Sequence, residues 1–299
     1  MAIKCNRHYI FYIKLKCLIN SLSAGQPCTK IFPSQQPPLT ADTVRPSDVA
    51  VLSYAGLNEQ STELSTVLSK LTELVTLFNP GLVTPISEDK RIPQFLQHGT
   101  LVDQANKLSL YLQSNKQGAD ENQDWKLVLL FVQLDRLCAC EQQEQISSLL
   151  KQLVEEVDIA VQLLHSQLKK TIVSVALWDG GLNTFQTKMC PCTHTYTDGE
   201  LKLQRAVLTH TLQELLDELM VQKHWYRDRD DFTVTLQATP LIRGLSSQTG
   251  KPIGEFEASK RTDELMLQLW KNLLQPIVDQ HIPDHKKNIL TLQCPTESW

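Results

Sequence analysis

The stretch Trp125-Lys126-Leu127-Val128-Leu129-Leu130-Phe131-Val132 decides the fold of this chain. Apart from Lys126 it is continuously apolar, whereas a strand with one face in water alternates apolar and polar residues. A short continuous run of this kind is typical of a strand buried on both faces in a parallel sheet with helices on each side. The segment therefore predicts a central strand of an α/β domain.

Further strand-like segments alternate with segments of helical spacing along the chain. The predicted strands are Val49–Leu52, Trp125–Val132, Thr171–Leu177 and Asp231–Leu236. The predicted helices are Glu59–Phe78, Phe95–Leu112, Glu141–Leu168, Glu200–Gln222 and Arg261–Leu274. Because strand and helix alternate, the sequence predicts a three-layer α/β/α domain with a mostly parallel central sheet.

The composition is that of an ordinary globular protein, with 299 residues, 41% of them hydrophobic and 21% charged. A formal net charge of −4 gives no basic bias, so we expect no nucleic-acid partner. No apolar run reaches the roughly 20 residues that cross a bilayer, so we expect no transmembrane segment. The sequence has no Gly-rich phosphate loop, and we expect neither a cofactor nor a metal ion.

The first residues are expected to form a leader over 1–27 and an extended lead-in over 28–48. The leader has a basic start and an apolar run from Tyr9 to Ile19 that Lys14 and Lys16 interrupt. It is either a poor signal peptide or an unrelated leader. The lead-in is rich in Pro, Ser, Thr and Gln and has no periodicity. Residues 49–296 are expected to form a single domain.

Eight cysteines are present, of which two lie in the leader. An even number in the body, with two tight C-x-C pairs, favours disulfides in an oxidising compartment. A zinc site at Cys190, Cys192 and His194 is the alternative, but the usual second pair of zinc ligands is missing. The cysteines expected to form disulfides, with pairing left open, are Cys28, Cys138, Cys140, Cys190, Cys192 and Cys294.

Several segments resemble, in order, those of the membrane-associated phospholipase B family over roughly residues 28–296. They are Arg45–Val49, Phe78–Pro80, Asp124–Val128 with Phe131 and Leu137–Cys138, Met189–Cys192, Asp230–Val234, Leu269–Pro276 and Leu292–Pro295. The resemblance implies the fold of GDSL (SGNH) hydrolases and ester hydrolysis of phospholipids and lysophospholipids. It also implies a phospholipid or acyl-chain ligand, and a location in the secretory pathway or on the extracellular or luminal face of the plasma membrane.

The chemistry of that family needs a Ser nucleophile, a His base oriented by an Asp, and oxyanion donors from a Gly N–H and an Asn side chain. The family's Gly-Asp-Ser-Leu block is matched here by Gly56-Leu57-Asn58, so Asn58 stands in the Ser position. Its Gly-Gly-Asn-Asp block is matched by Gln133-Leu134-Asp135-Arg136, so Asp135 stands in the Asn position.

The last catalytic block of the family presents Asp-x-x-His before the final helix. Ile253–Ser259 occupies this place, and no His lies between His224 and His281. The His position therefore holds Glu257 or Phe256, depending on a gap of one residue. We expect no catalytic residue at the family-equivalent positions.

Three functional interpretations follow. The first is a phospholipase-B-like domain that has become a pseudoenzyme. The second is an active phospholipase or lysophospholipase that uses displaced residues, such as Ser53 or Ser61, with a distant His. The third is a fragment of a larger phospholipase B with several repeated units. The sequence predicts no particular oligomeric state.

Overall fold

A computed structural model gives the fold of the chain. The structure describes residues 38–57, 62–85, 93, 98–114, 122–134, 137, 143–179, 197–225, 229–237, 241–242 and 255–274.

Five parallel strands form the sheet. They are β1 (Val49–Ala55), β2 (Trp125–Gln133), β3 (Thr171–Asp179), β4 (Phe232–Leu236) and the short β5 (Leu241–Ile242). The first four lie side by side in chain order, and β5 pairs with the end of β3 beyond β4. Strand β2 is buried at every position from Trp125 to Val132, as its apolar sequence, interrupted only by Lys126, predicts.

Five α-helices of the described residues surround the sheet. They are α1 (Thr62–Phe78), α2 (Leu101–Gln113), α3 (Gln143–Gln167), α4 (Asp198–Lys223) and α5 (Glu255–Leu274). Together with the sheet they make a three-layer α/β/α fold, which confirms the predicted fold class.

The chain reverses its direction across the sheet after β1. Helix α1 leads to Val83, which pairs in parallel with Val51, and the Leu52 N–H donates to the Val83 carbonyl at 2.9 Å. Since β2 occupies the other edge of β1, the chain first steps to one side of β1 and then, through α2, to the opposite side. Right-handed crossovers then place α1 on one face of the sheet and α2, α3 and α4 on the other.

Side-chain contacts agree with this division. The hydroxyl groups of Tyr54 and Thr72 lie 2.5 Å apart and join β1 to α1. On the same sheet face, the Gln237 amide donates to Ser174 Oγ of β3 at 3.1 Å and accepts from Asn272 of α5 at 3.2 Å. Helix α5 therefore covers the same face as α1.

Helices α2, α3 and α4 pack side by side on the opposite face. The hydroxyl of Ser109 in α2 donates to the side-chain carbonyl of Gln167 in α3. The ammonium of Lys223 in α4 lies 2.7 Å from a carboxylate oxygen of Asp158 in α3. These contacts fix the order of the three helices across that face.

Two helices begin at reciprocal capping boxes. The Asp103 N–H donates to Thr100 Oγ1 at 3.1 Å, and Asp103 Oδ2 accepts from the Thr100 N–H at 3.0 Å. Thr197 and Glu200 repeat the arrangement at the start of α4. The hydrogen bonds from the capping threonine lower the pKa of the Asp103 carboxyl and of the Glu200 carboxyl. The caps explain why α2 begins at Leu101 rather than at the predicted Phe95.

Other element bounds differ from those predicted. Helix α5 begins at Glu255, before the predicted Arg261, because the apolar stripe that was used to find it marks only its packed part. Strand β5 was not predicted, since two residues give no periodicity. Within the expected lead-in, Ala41–Thr43 and Pro46–Asp48 are short 3-10 helices. All eight cysteines lie outside the described residues.

A charged cluster closes the amino end of the sheet. The guanidinium of Arg229 binds Asp231 through two hydrogen bonds of 2.8 Å and donates to the His165 carbonyl near the end of α3. Asp231 Oδ2 also accepts from the Lys170 N–H at 3.3 Å, at the start of β3. The cluster thus joins α3, β3 and β4, and its hydrogen bonds from Arg229 hold the pKa of Asp231 below its usual value.

Because the pKa of Asp231 is lower in the folded chain than in the unfolded chain, its contribution to stability is complete above the unfolded value of about 4. That contribution is lost as the pH falls through the folded value. We expect Asp231→Asn to cost about 1 to 2 kcal/mol in the free energy of unfolding at pH 7 and less at pH 3, which lies below the unfolded value. Urea denaturation at both pH values measures the difference. Asp230→Asn, at the exposed neighbour, is the control, and equal costs at both pH values would contradict the assignment.

Candidate functional site

The candidate site lies at the carboxyl ends of β1 and β2. In open α/β sheets, ligands bind outside the carboxyl ends of the strands where the strand order reverses. The reversal in this chain falls at β1, which lies between the Val83 segment and β2. The segments that follow these two strands contain the predicted positions Asn58 and Asp135.

Gly56 forms the turn that leaves β1. Its φ angle is +82°, which L-residues with a side chain rarely adopt. A Cβ atom at this position would lie 1.9 Å from the Phe131 carbonyl oxygen of β2. The turn after β1 and strand β2 therefore approach so closely that only glycine fits at position 56, because of both its φ angle and the available space.

Gln104 of α2 holds this turn through its side-chain amide. Its Oε1 accepts from the Gly56 N–H at 2.8 Å and from the Leu57 N–H at 3.0 Å. Its Nε2 donates to the Leu57 carbonyl at 2.7 Å. Gln104 is buried, so these hydrogen bonds satisfy three backbone groups that water does not reach. The Gln104 amide thus makes the hydrogen bonds with the Leu57 backbone that a neighbouring strand would otherwise make.

Gln133, the last residue of β2, also binds the turn. Its Nε2 donates to the Gly56 carbonyl at 2.5 Å. That carbonyl can only accept, so the orientation of the Gln133 amide is fixed and its Oε1 points away from Gly56. This Oε1 is buried without a hydrogen-bond partner in the described part of the chain. Gln133, which stands where the family's second-strand block begins with a glycine, thus makes a structural contact with the turn after β1.

Helix α5 reaches the same edge of the sheet. The ammonium of Lys70 lies 2.7 Å from Asp263 Oδ1, and the rings of Phe78 and Trp270 stack with centroids 5.4 Å apart. Both pairs join α1 to α5 at nearly the same offset along the chain (263 − 70 = 193 and 270 − 78 = 192). The two helices therefore run in the same direction, and the first turn of α5 lies beside the first turn of α1.

The backbone therefore brings residues of, or next to, the three segments that resemble the family's catalytic blocks to one edge of the sheet. Leu57 and Leu134, which directly precede Asn58 and Asp135, are 2% and 1% exposed. Positions 256 and 257 fall in the first turn of α5. Asn58 and Asp135 themselves, and the side chains of Phe256 and Glu257, lie outside what the structure describes.

Of the two serines suggested as displaced nucleophiles, the structure describes only Ser53. Ser53 lies within β1, is 0% exposed, and its hydroxyl has no hydrogen-bond partner among the described residues. Among the described residues no base contacts this hydroxyl, and a serine without exposed surface is closed to a substrate. Ser61 lies outside the described residues.

Gln104 is the residue of this site that sequence reasoning missed. It lies beside Leu101, Ala105 and Leu108 on the buried side of α2. A polar residue at a buried position of an amphipathic helix signals a buried hydrogen bond. That signal was present in the sequence, although it did not indicate that the partner is the backbone after β1.

Three curated proteins that this chain resembles share one name, phospholipase B1, membrane-associated. The mouse (Mus musculus) protein is 23% identical over 305 residues, which cover 84% of this chain and 20% of that protein. The rat (Rattus norvegicus) protein is 23% identical over 330 residues, covering 90% and 23%. The human (Homo sapiens) protein is 24% identical over 266 residues, covering 79% and 18%.

The chain is distantly related to phospholipase B1. It spans about a fifth of the length of these relatives. No family model matches the chain, and no solved structure matches it. Among the described residues, no helix is long and apolar enough to cross a membrane.

The Gln104 contacts make a testable contribution to stability. We expect Gln104→Ala to lower the free energy of unfolding by about 2 to 4 kcal/mol, because it leaves two backbone N–H groups and one carbonyl buried without partners. Chemical denaturation measures the loss. Asn106→Ala, at an exposed position of the same helix, should change stability by less than about 0.5 kcal/mol. Equal effects of the two substitutions would rule out the contacts.

The close approach at Gly56 makes a second prediction. Gly56→Ala should cost more than about 3 kcal/mol, since it adds a clash with the Phe131 carbonyl to an unfavourable φ. Gly81→Ala is the matched control, because a Cβ there would meet only Asn79 Oδ1, at 3.4 Å. Thermal unfolding of both variants distinguishes them. A Gly56→Ala variant as stable as Gly81→Ala would show that the turn does not need glycine.

Proposed function

We propose that residues 49–296 form a single phospholipase-B-like domain of the GDSL (SGNH) hydrolase class that no longer hydrolyses esters. The observation that carries the proposal is the turn after β1. Gly56 keeps the positive φ and the close approach to β2, while the next two positions hold Leu57 and Asn58. The chain keeps the glycine of the family's nucleophile block, but it lacks the Asp and Ser that follow this glycine in the family.

The chemistry of the substituted residues supports loss of activity. A side-chain amide at Asn58 does not attack an ester carbonyl, because its nitrogen lone pair is delocalised. The side chain of Leu57 is buried and apolar, so it cannot replace the Asp carboxylate of the family block. In enzymes with a Ser-His-Asp triad, loss of one member removes most of the activity.

The other two blocks point the same way. Asp135 stands where the family has an oxyanion-binding Asn, and a carboxylate there opposes the negative charge that develops in ester hydrolysis. Glu257 or Phe256 stands where the family has its His base. Nucleophile, oxyanion donor and base are therefore all replaced under this alignment.

The context of the proposed function is phospholipid and lysophospholipid ester metabolism. The relatives are membrane-associated by name, which is compatible with a secretory-pathway location and with disulfides among the six body cysteines. Because the chain spans about a fifth of its relatives, we also propose that this unit is one of several in a larger phospholipase B. Transcripts that encode this unit together with further units would support this proposal.

An active lipase with displaced residues is the competing proposal. Burial of Ser53 within β1, with its hydroxyl unpartnered among the described residues, counts against that serine. Ser61, or another serine of the chain, remains a candidate nucleophile for such an enzyme. The two proposals differ in whether any serine of the chain reacts covalently.

We expect the purified chain to hydrolyse neither lysophosphatidylcholine nor a short-chain aryl ester above the buffer rate. We also expect a fluorophosphonate probe not to label it. Release of fatty acid and mass spectrometry of the intact chain measure the two outcomes, with an active serine esterase as the positive control. Turnover that the probe abolishes would overturn the proposal, and the loss of labelling in Ser61→Ala or Ser53→Ala would identify the nucleophile.

A further inference from the structure

Helix α4 exposes several apolar side chains on its outer face. Seven large hydrophobic residues are exposed in the described part of the chain, and α4 carries three of them, whereas α1, α2 and α3 carry one each. The three are Leu203, Val207 and Val221, which are 67%, 56% and 65% exposed. Exposed apolar residues that gather on one face, rather than lie scattered, indicate a contact with another molecule.

These residues lie on one stripe of the helix. At about 100° per residue, Leu203 and Val221 point in the same direction, and Val207 lies within about 40° of both. The stripe is about 27 Å long, at a rise of about 1.5 Å per residue. His210 and Glu214 lie between its ends on the same stripe, with side chains 75% and 68% exposed. The stripe thus has apolar ends and a polar centre.

The stripe is complementary to itself when two copies meet with their α4 helices antiparallel. Position 212 is the midpoint of Leu203 and Val221 and also the midpoint of His210 and Glu214. A two-fold axis at this level therefore sets Leu203 against Val221 of the second copy. It also sets His210, whose imidazole N–H can donate, against the Glu214 carboxylate of the second copy. Each contact occurs twice, as in any isologous interface.

The acidic residues of α4 favour the antiparallel over the parallel arrangement. Glu214, Asp217 and Glu218 are exposed and all lie in the second half of the helix. Parallel pairing would set each carboxylate beside its own copy, and like charges repel. Antiparallel pairing sets them against positions 210, 207 and 206, none of which is acidic. A helix face that binds a membrane is instead rich in Lys and Arg beside its apolar residues.

We propose that α4 is a homodimer interface, in which the stripes of two copies pack antiparallel about a two-fold axis. A single helix pair of this length buries less than the roughly 1,200 Å² at which stable complexes begin. The dimer is therefore weak and reversible, with a dissociation constant of the order of 100 µM. None of the positions that carry the proposed function belongs to the stripe.

Sedimentation velocity of the purified chain between about 10 and 500 µM measures the association. We expect mostly monomer at the lower concentration and mostly dimer at the higher one. Leu203→Lys and Val221→Glu should each weaken dimerisation at least about fivefold, because each places a charge against an apolar side chain at two points of the interface.

Combining Leu203→Lys with Val221→Glu tests the antiparallel register. The two positions lie about 27 Å apart within one copy, so the new charges do not meet there. In the antiparallel dimer the ammonium of each copy faces the carboxylate of the other. We therefore expect the double variant to dimerise within about threefold of the native chain, and more tightly than either single variant.

Leu110→Lys is the matched control, because Leu110 is 56% exposed on α2, outside the stripe. It should leave dimerisation unchanged. The proposal is overturned if the native chain stays monomeric at about 500 µM, if Leu110→Lys weakens dimerisation as much as Leu203→Lys, or if the double variant dimerises no better than the single variants. It is also overturned if phosphatidylcholine vesicles bind the monomeric chain and Leu203→Lys abolishes that binding, which would assign the stripe to a lipid surface.

Discussion

The contact between the backbone of Gly56 and the carbonyl of Phe131 sets the geometry of the carboxyl edge. A Cβ atom at Gly56 would fall 1.9 Å from that oxygen, so the turn after β1 and the body of β2 approach as closely as backbones can. Gln104 and Gln133 then bind the turn from α2 and β2. The position of Leu57 follows from this approach.

The two ends of the sheet differ in how their polar groups are satisfied. At the amino end, Arg229, Asp231 and Lys170 join α3 to β3 and β4 by hydrogen bonds. At the carboxyl edge, Gln133 and Trp178 each keep a polar atom without a partner among the described residues. In open α/β sheets, ligands bind outside the carboxyl ends of the strands.

Much of the fold could be predicted from the sequence, because a strand buried on both faces is a nearly continuous run of apolar residues. Strand β2 is apolar apart from Lys126 and Gln133, and the alternation of strands and helices along the chain matches the parallel sheet. The step from β1 back to Val83 was not readable, since a single bridge has no periodicity. Nor were the contacts of Gln104 and Arg229, because each joins residues far apart in the chain. The resemblance singled out Gly56, but sequence alone could not show that the Phe131 carbonyl closes the space beside it.

The turn after β1 is held by main-chain atoms of residues 56 and 57 and by an amide from another helix. None of these hydrogen bonds uses the side chain at position 57. An ancestral lineage could therefore exchange the reactive groups of this turn while its folding remained under separate selection. Under such a division, loss of catalysis leaves no mark on the scaffold, and the scaffold is then free to be retained for another use.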